Sequence, residues 1–208
     1  LLKINGVSII SHVVNKAKEA DIGEVYVATE DKEILEDVNL NKGKAILTSN
    51  KHKTGSDRIF ECFEKLDLKN IGYIINLQGD EPNIDIDDLK HLNKLVDTNK
   101  PEIGTLGSEI KDKNSLINEN IVKVITESQI TDVNFPIAKD FKRKLKNLEL
   151  NTYHHLGIYA YKPNILKKII KLKQTNNQIK NRLEQLRAMD NRIKINVALA
   201  KNCPIGID

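Results

Sequence analysis

Tryptophan is absent from this chain of 208 residues, methionine occurs once, and aromatic residues make up only 4%. So few rings weaken any reading in which the bases of a nucleic acid are stacked. Cys62 and Cys203 are the only two cysteines, too few for a disulfide framework and suited to a reducing compartment. No stretch approaches the ~20 apolar residues of a membrane span. The opening residues lack a charged-then-apolar leader, so the expected location is cytoplasmic, without membrane insertion. Neither sign of charge dominates: 33 basic against 29 acidic residues leave +4, which permits an anionic ligand and does not call for a nucleic-acid partner. No internal repeat or low-complexity block interrupts the chain. What is present is a 39% hydrophobic content, too high for disorder. The length suits one globular domain able to bury roughly 70% of its unfolded surface.

The pattern along the chain is alternation. Residues 7–20 carry Val7, Ile10, Val13, Val14 and Ala17 at helical spacing. Residues 24–29 and 44–48 read as strands, 31–38 as a helix capped by Asp31, and 54–66 as a helix whose Thr54-Gly55-Ser56-Asp57 start supplies capping oxygens and first-turn acid. Residues 73–77 form an apolar run of the kind buried on both faces of a sheet, followed by a helix at 85–96. Such alternation argues for an α/β fold, a mostly parallel sheet with helices on both faces. Beyond it, 103–110, 121–127, 155–161 and 192–200 read as strands. Residues 128–152 read as loop with a short helix, and 163–172 and 182–189 as helices, the first with proline at its start. The chain is expected to be one domain with a small β-rich lobe around 103–160.

In such sheets ligands bind beyond the carboxyl ends of the strands. Asn76-Leu77-Gln78-Gly79-Asp80-Glu81-Pro82 is the sharpest segment there: a strand ends in a glycine that permits close backbone approach and a carboxylate projecting at the strand end. Asp208, after strand 192–200, is a second carboxylate; two of them suit Mg²⁺, which takes oxygen ligands and shares them with phosphates. Lys51 to Arg58 offers hydroxyls, glycine and a cation at a helix start, suited to a phosphate or a polar base, or simply a capped helix. Adjacent His154 and His155 point to opposite faces of a strand and cannot share one ion, so one of them suits an anion or hydroxyl contact. Glu184-Gln185 beside Arg187, and the basic run Lys142-Arg143-Lys144, read as solvated faces. Cys62 lies with Phe60 and Phe63 and is expected to be buried.

Together these blocks resemble the 3-deoxy-manno-octulosonate (KDO) cytidylyltransferase family. Ile4-Asn5-Gly6 with the following helix resembles its helix entry, and Val27-Ala28-Thr29-Glu30 its V-A-T-D strand end. His52 to Arg58 is similar to H-x-S-G-T-[DE]-R, and Asn76 to Pro82 matches N-[VL]-Q-G-D-E-P. Asn120 to Val124 is similar to N-x-V-K-V, His155 to Tyr161 to H-L-G-I-Y-x-Y, Leu183 to Arg187 to L-E-Q-L-R, and Gly206-Ile207-Asp208 to G-[VI]-D. The resemblance implies a nucleotide-diphospho-sugar transferase-like, Rossmann-like fold. It also implies transfer of CMP from CTP to KDO with release of pyrophosphate, in lipopolysaccharide biosynthesis. By position it implies Asp80 and Asp208 as catalytic Mg²⁺ ligands and Thr54, Gly55, Ser56, Arg58 and Gln78 at the nucleotide. His155, Tyr159, Glu184 and Gln185 fall at the sugar acid. The family's homodimeric state comes with it.

Two departures stand out. The family opens with a strand and an A-R-x-x-S-x-R-[LF]-P-x-K loop and closes with a helix; none is in this sequence, so a fragment lacking both ends is expected, with its first central strand missing, inactive and poorly stable alone. Where the family has Ser-Arg-Ala ahead of Ile-Pro, this chain has Asp132-Val133-Asn134-Phe135-Pro136. That leaves the acceptor open between KDO, an 8-amino relative and a sialic-acid-like acid. A non-catalytic nucleotide-binding remnant is the alternative of a different class.

Overall fold

A computed structural model describes residues 1–52, 54–110, 112 and 114–202. The described residues divide into two compact units, one within residues 1–71 and 77–90, the other within 72–76 and 91–202.

The first unit opens with a two-residue-turn hairpin, β1 (Lys3–Ile4) against β2 (Val7–Ser8). Asn5 and Gly6 both take positive φ, 49° and 82°, as this turn requires. The hairpin occupies part of the span expected to be helical, and α1 runs Ile9–Glu19 with Ser8 as its N-cap. Then follow β3 (Val27–Thr29), α2 (Lys32–Leu40), β4 (Ala45–Leu47) and α3 (Gly55–Leu66). Asp31 caps α2 by accepting from the Glu33 amide at 2.8 Å, as expected. Val14, Val27 and Val38 form the core, with Ile10, Val25, Ile34 and Ala45 packed on it. The Ser11 hydroxyl donates to the Asp37 carboxylate at 3.1 Å, tying α1 to α2. β3 and β4 pair in parallel, and β4 is the ladder neighbour of β3 among the described residues.

The second unit is built on an open six-stranded sheet, ordered β10 (Ile195–Ala200), β6 (Ile103–Glu109), β9 (Thr152–Tyr161), β7 (Lys123–Thr126), β8 (Ala138–Lys142), with β5 (Ile74–Asn76) also paired to β9. Four short or amphipathic helices, α5 (Asn114–Ile117), α6 (Pro163–Lys171), α7 (Asn176–Asn181) and α8 (Gln185–Asp190), lie between the strands in sequence. Helix α4 (Ile86–Asn99) carries the boundary between the units.

The α/β class and the open sheet agree with expectation; the sense of pairing does not. β9 is antiparallel to β5, β6 and β7, and β7 to β8, leaving β10–β6 as the parallel ladder of this sheet. β5, β6, β7 and β10 do share one direction, but β9 lies among them, and a reversed strand turns the ladders on both its edges antiparallel. Three local differences follow from pairing that periodicity cannot report. Residues 138–142, expected as loop, form β8, because a polar edge strand needs only β7 to satisfy its backbone. Residues 73–77, expected to be buried on both faces, give a half-buried β5, laddered by β9. The helix expected at 182–189 is present as α8, starting three residues later because Arg182 takes left-handed backbone (φ 52°) at the end of α7.

Candidate active site

In the first unit, Thr54 stands in extended backbone at the N-cap of α3, its hydroxyl donating to the Asp57 carboxylate at 2.8 Å. Gly55 is exposed and no atom lies within 4 Å of where a Cβ would stand, so the helix start is open to a ligand. Ser56, in contrast, is buried. Arg58 turns back to the strand ends: Nη1 donates to Thr48 Oγ1 at 2.8 Å and Nη2 pairs with the Glu30 carboxylate. It fastens these strand ends to α3. Glu61, which sequence reasoning passed over, organises the loop ahead of α3. It accepts from the Ser49 amide at 2.9 Å, contacts His52 and pairs with Lys65 at 2.7 Å. The Lys65 bond first, then the Ser49 amide and His52, hold its carboxyl at about 2.

Gln78, Gly79 and Asp80 are exposed in the loop that follows β5 in sequence. A Cβ on Gly79 would stand 3.0 Å from Ile10 Cδ1, so the close approach inferred from sequence is made to α1. Glu81 is turned inward: Oε2 is buried without a partner, and burial, then the charge of Asp80, raises its carboxyl. Of the two neighbouring carboxylates, Asp80 is the one presented to solvent, an oxygen donor of the kind Mg²⁺ takes. Its expected partner Asp208 lies outside the described residues, with Gly206, Ile207 and Cys203.

In the second unit His155 sits where β9 changes neighbours. On one edge of β9, β7 pairs with residues 152–154 and β5 with 159–161. On the other, the β6 ladder slips between Thr105 and Leu106. This bulge leaves carbonyls of β9 outside the ladder, and Thr105 Oγ1 supplies them, donating to Ile158 O at 2.6 Å. A hydroxyl has one proton, so the 3.0 Å contact between Thr105 Oγ1 and His155 Nε2 assigns the proton of that bond to the ring. Nδ1 is then the acceptor of the imidazole. Burial, then His154, pushes His155 down to about 3, which keeps the ring neutral at ordinary pH. Phe141 meets it edge-on at 4.9 Å and Tyr159 lies 5.4 Å away.

Burial, then Tyr161 and Glu184, raise the Tyr159 phenol well above its ordinary range, so it remains a donor, with Tyr161 stacked on it at 5.6 Å. Glu184 is not on a solvated face. It is half-buried and pairs at 3.0 Å with Nη2 of Arg187, which is 3% exposed. Gln185 opens α8 beside it. The structure thus brings His155, Tyr159 and Glu184 into one electrostatic neighbourhood in this unit, while Thr54, Gly55, Ser56, Arg58, Gln78 and Asp80 belong to the other. Thr105 and Phe141 are residues that sequence reasoning passed over here; Arg187, read from sequence as part of a solvated face, is instead buried. Cys62 is buried as expected, and burial pushes its thiol up to about 11. Among the described residues no cluster of three or more His, Cys, Asp or Glu could hold a metal, and no helix is long and apolar enough to cross a membrane.

Comparison with known proteins gives a consistent answer. The sequence model of the family described as cytidylyltransferase matches residues 1–195. The 3-deoxy-manno-octulosonate cytidylyltransferase of Thermodesulfovibrio yellowstonii is 40% identical over 211 aligned positions, covering 96% of this chain and 83% of that protein. That of Bartonella bacilliformis is 34% identical, covering 100% of this chain and 86% of its own length. A solved structure of CMP:2-keto-3-deoxy-manno-octonic acid synthetase complexed with CTP superposes with a TM-score of 0.88 at 31% identity, over 100% of this chain and 85% of that one. An apo UDP-glucose pyrophosphorylase, 15% identical with a TM-score of 0.66 over 95% of this chain and 81% of its own, shares the fold.

Proposed function

The chain belongs to the cytidylyltransferase family, and on that premise we propose that it transfers CMP from CTP to 3-deoxy-manno-octulosonate, releasing pyrophosphate. A hydroxyl oxygen of the sugar acid forms the bond to the α-phosphorus as the bond to the pyrophosphate oxygen breaks. The observation that carries this reading is identity of 34–40% across 96–100% of the chain to proteins of that one name.

The side chains supply roles consistent with it. The open start of α3 receives the nucleotide at Thr54, Gly55 and the backbone of Ser56, whose side chain is buried, together with Gln78; Arg58 fastens the neighbouring strand ends at Thr48 and Glu30. In the second unit the neutral His155 accepts at Nδ1 from a sugar hydroxyl and Tyr159 donates. Glu184, balanced by Arg187, accepts from further hydroxyls, and Gln185 adds a donor and an acceptor. None of these groups is asked to be a nucleophile; the reaction needs reactants held in line and charge offset. Asp80 and Asp208 would hold Mg²⁺, which when bound offsets the triphosphate charge. A cytoplasmic homodimer serving lipopolysaccharide biosynthesis completes the proposal.

The test is the complete protein with CTP, Mg²⁺ and KDO, followed by pyrophosphate release. Release in step with CMP-sugar formation is expected; none from folded protein refutes the reading. Val133 is exposed where the resembling family carries arginine, so competition with 8-amino-KDO and a sialic acid decides the acceptor.

A further inference from the structure

Arg143 belongs to the basic run that reads from sequence as a solvated face. In the structure its guanidinium is engaged by backbone on three sides. Nε donates to Asn181 O at 2.9 Å, Nη2 to Arg182 O at 3.0 Å and Nη1 to Glu119 O at 3.0 Å. Its own carbonyl accepts from Lys123 Nζ, an ammonium with 0% residue exposure that also donates to Asn118 O at 2.8 Å and Ile121 O at 2.7 Å.

The carbonyls of Asn181 and Arg182 stand at the C-terminal end of α7. The last carbonyls of a helix have no partner within it, and a glycine in left-handed backbone usually closes the end. Here the left-handed residue is Arg182, φ 52°, a conformation unfavourable for a residue with a Cβ. Arg143 supplies what holds it: a charged, rigid fork on two successive carbonyls at the negative end of the helix. The far end of the α7–α8 pair is fastened separately, Asn177 Nδ2 donating to Asp190 Oδ1 at 3.1 Å. The turn so pinned leads directly into Leu183, Glu184 and Gln185.

We propose that Arg143 is a positioning residue for the acceptor site: by clamping the end of α7 it sets the direction in which Glu184 and Gln185 are presented to the sugar acid. The proposal rests on the reading of Glu184 and Gln185 as acceptor contacts. It assigns no contact between Arg143 and either substrate.

The test compares Arg143→Met, Arg143→Lys and Glu184→Gln in the complete enzyme. Arg143→Met raises KM for the sugar acid about tenfold, as a displaced positioning group does, with KM for CTP within about twofold. Arg143→Lys, able to reach one carbonyl, stays within about threefold of the parent. Amide exchange across residues 181–186 rises in Arg143→Met while β6 and β9 keep their protection. Both KM values rising together, neither rising, or unchanged exchange at 181–186 overturns the clamp. Should Arg143→Met not fold, Arg143→Gln, which has lost the charge and the fork, takes its place and is read by the same split between the two KM values. An unchanged sugar-acid KM in Glu184→Gln overturns the underlying reading and the proposal with it; a raised one beside an unaffected Arg143→Met overturns the clamp alone.

Discussion

Replacing Thr105 by valine keeps the shape of a β-branched side chain and deletes one hydroxyl from a residue with 0% exposure. That hydroxyl serves two groups: Ile158 O, which the bulge has left without a ladder donor, and the Nε2 proton of His155. A buried group left without its partner costs about 1–3 kcal/mol. With two such groups, and His155 7% exposed, the sum is about 2–6 kcal/mol. For a chain of this size each kcal/mol moves Tm by about 2–4 °C, so a fall of roughly 4–24 °C is expected. Urea unfolding should show an earlier midpoint at unchanged slope. The ring loses its fixed tautomer as well, so imidazole ¹⁵N shifts should pass from those of an Nε2–H ring towards tautomer averaging, and KM for the sugar acid should rise. A variant with parental Tm and an unchanged His155 spectrum would refute both the tautomer and the bulge-filling role.

Three further expectations come from other sites. His155 is held near 3, below its ordinary 6.5, so the unfolded chain binds a proton that the folded chain refuses between these values. Stability is therefore fully present above about pH 6.5 and falls as pH drops toward 3, by up to about 1.4 kcal/mol per pH unit for one such group; urea midpoints at pH 7 and 5 measure the slope, which should flatten in His155→Asn. Gly104→Ala would place a Cβ 2.6 Å from Val96 Cγ1 and 3.2 Å from both Leu92 Cδ1 and Phe135 Cζ. Such overpacking costs about 1–3 kcal/mol, and a Tm equal to the parent's would count against the packing described. Asp80→Asn changes an exposed loop residue; turnover should fall by at least about a hundredfold while thermal unfolding stays within about 2 °C, and near-parental rates would remove Asp80 from the proposed metal site.

Much of the local structure was legible in the chain because it is set within a few residues. Asp31 and Thr54 announce helix starts, since a side-chain oxygen there satisfies amides two or three positions on. The strand-to-Asp80 loop was legible for the same reason, apolar residues running into glycine and acid. Asn5-Gly6 carried a hairpin signal of equal strength that the helical spacing of Val7 and Ile10 obscured. The ordered motif blocks named the family. What pairs with what was not legible. Nothing local says that β9 runs against its neighbours, that residues 138–142 find a partner in β7, or that Thr105 meets His155 across 50 positions.

Sequence by itself determined where helices begin, which residues are apolar, and which polar blocks travel together. Tertiary structure decided the charge and the tautomer of His155, the inward turn of Glu81, the pairing of Glu184 with Arg187, and the employment of Arg143 on backbone carbonyls. The reason is physical: a proton's affinity and a cation's partner depend on the water removed and the dipoles brought near by distant segments, and neither quantity exists until the chain has folded.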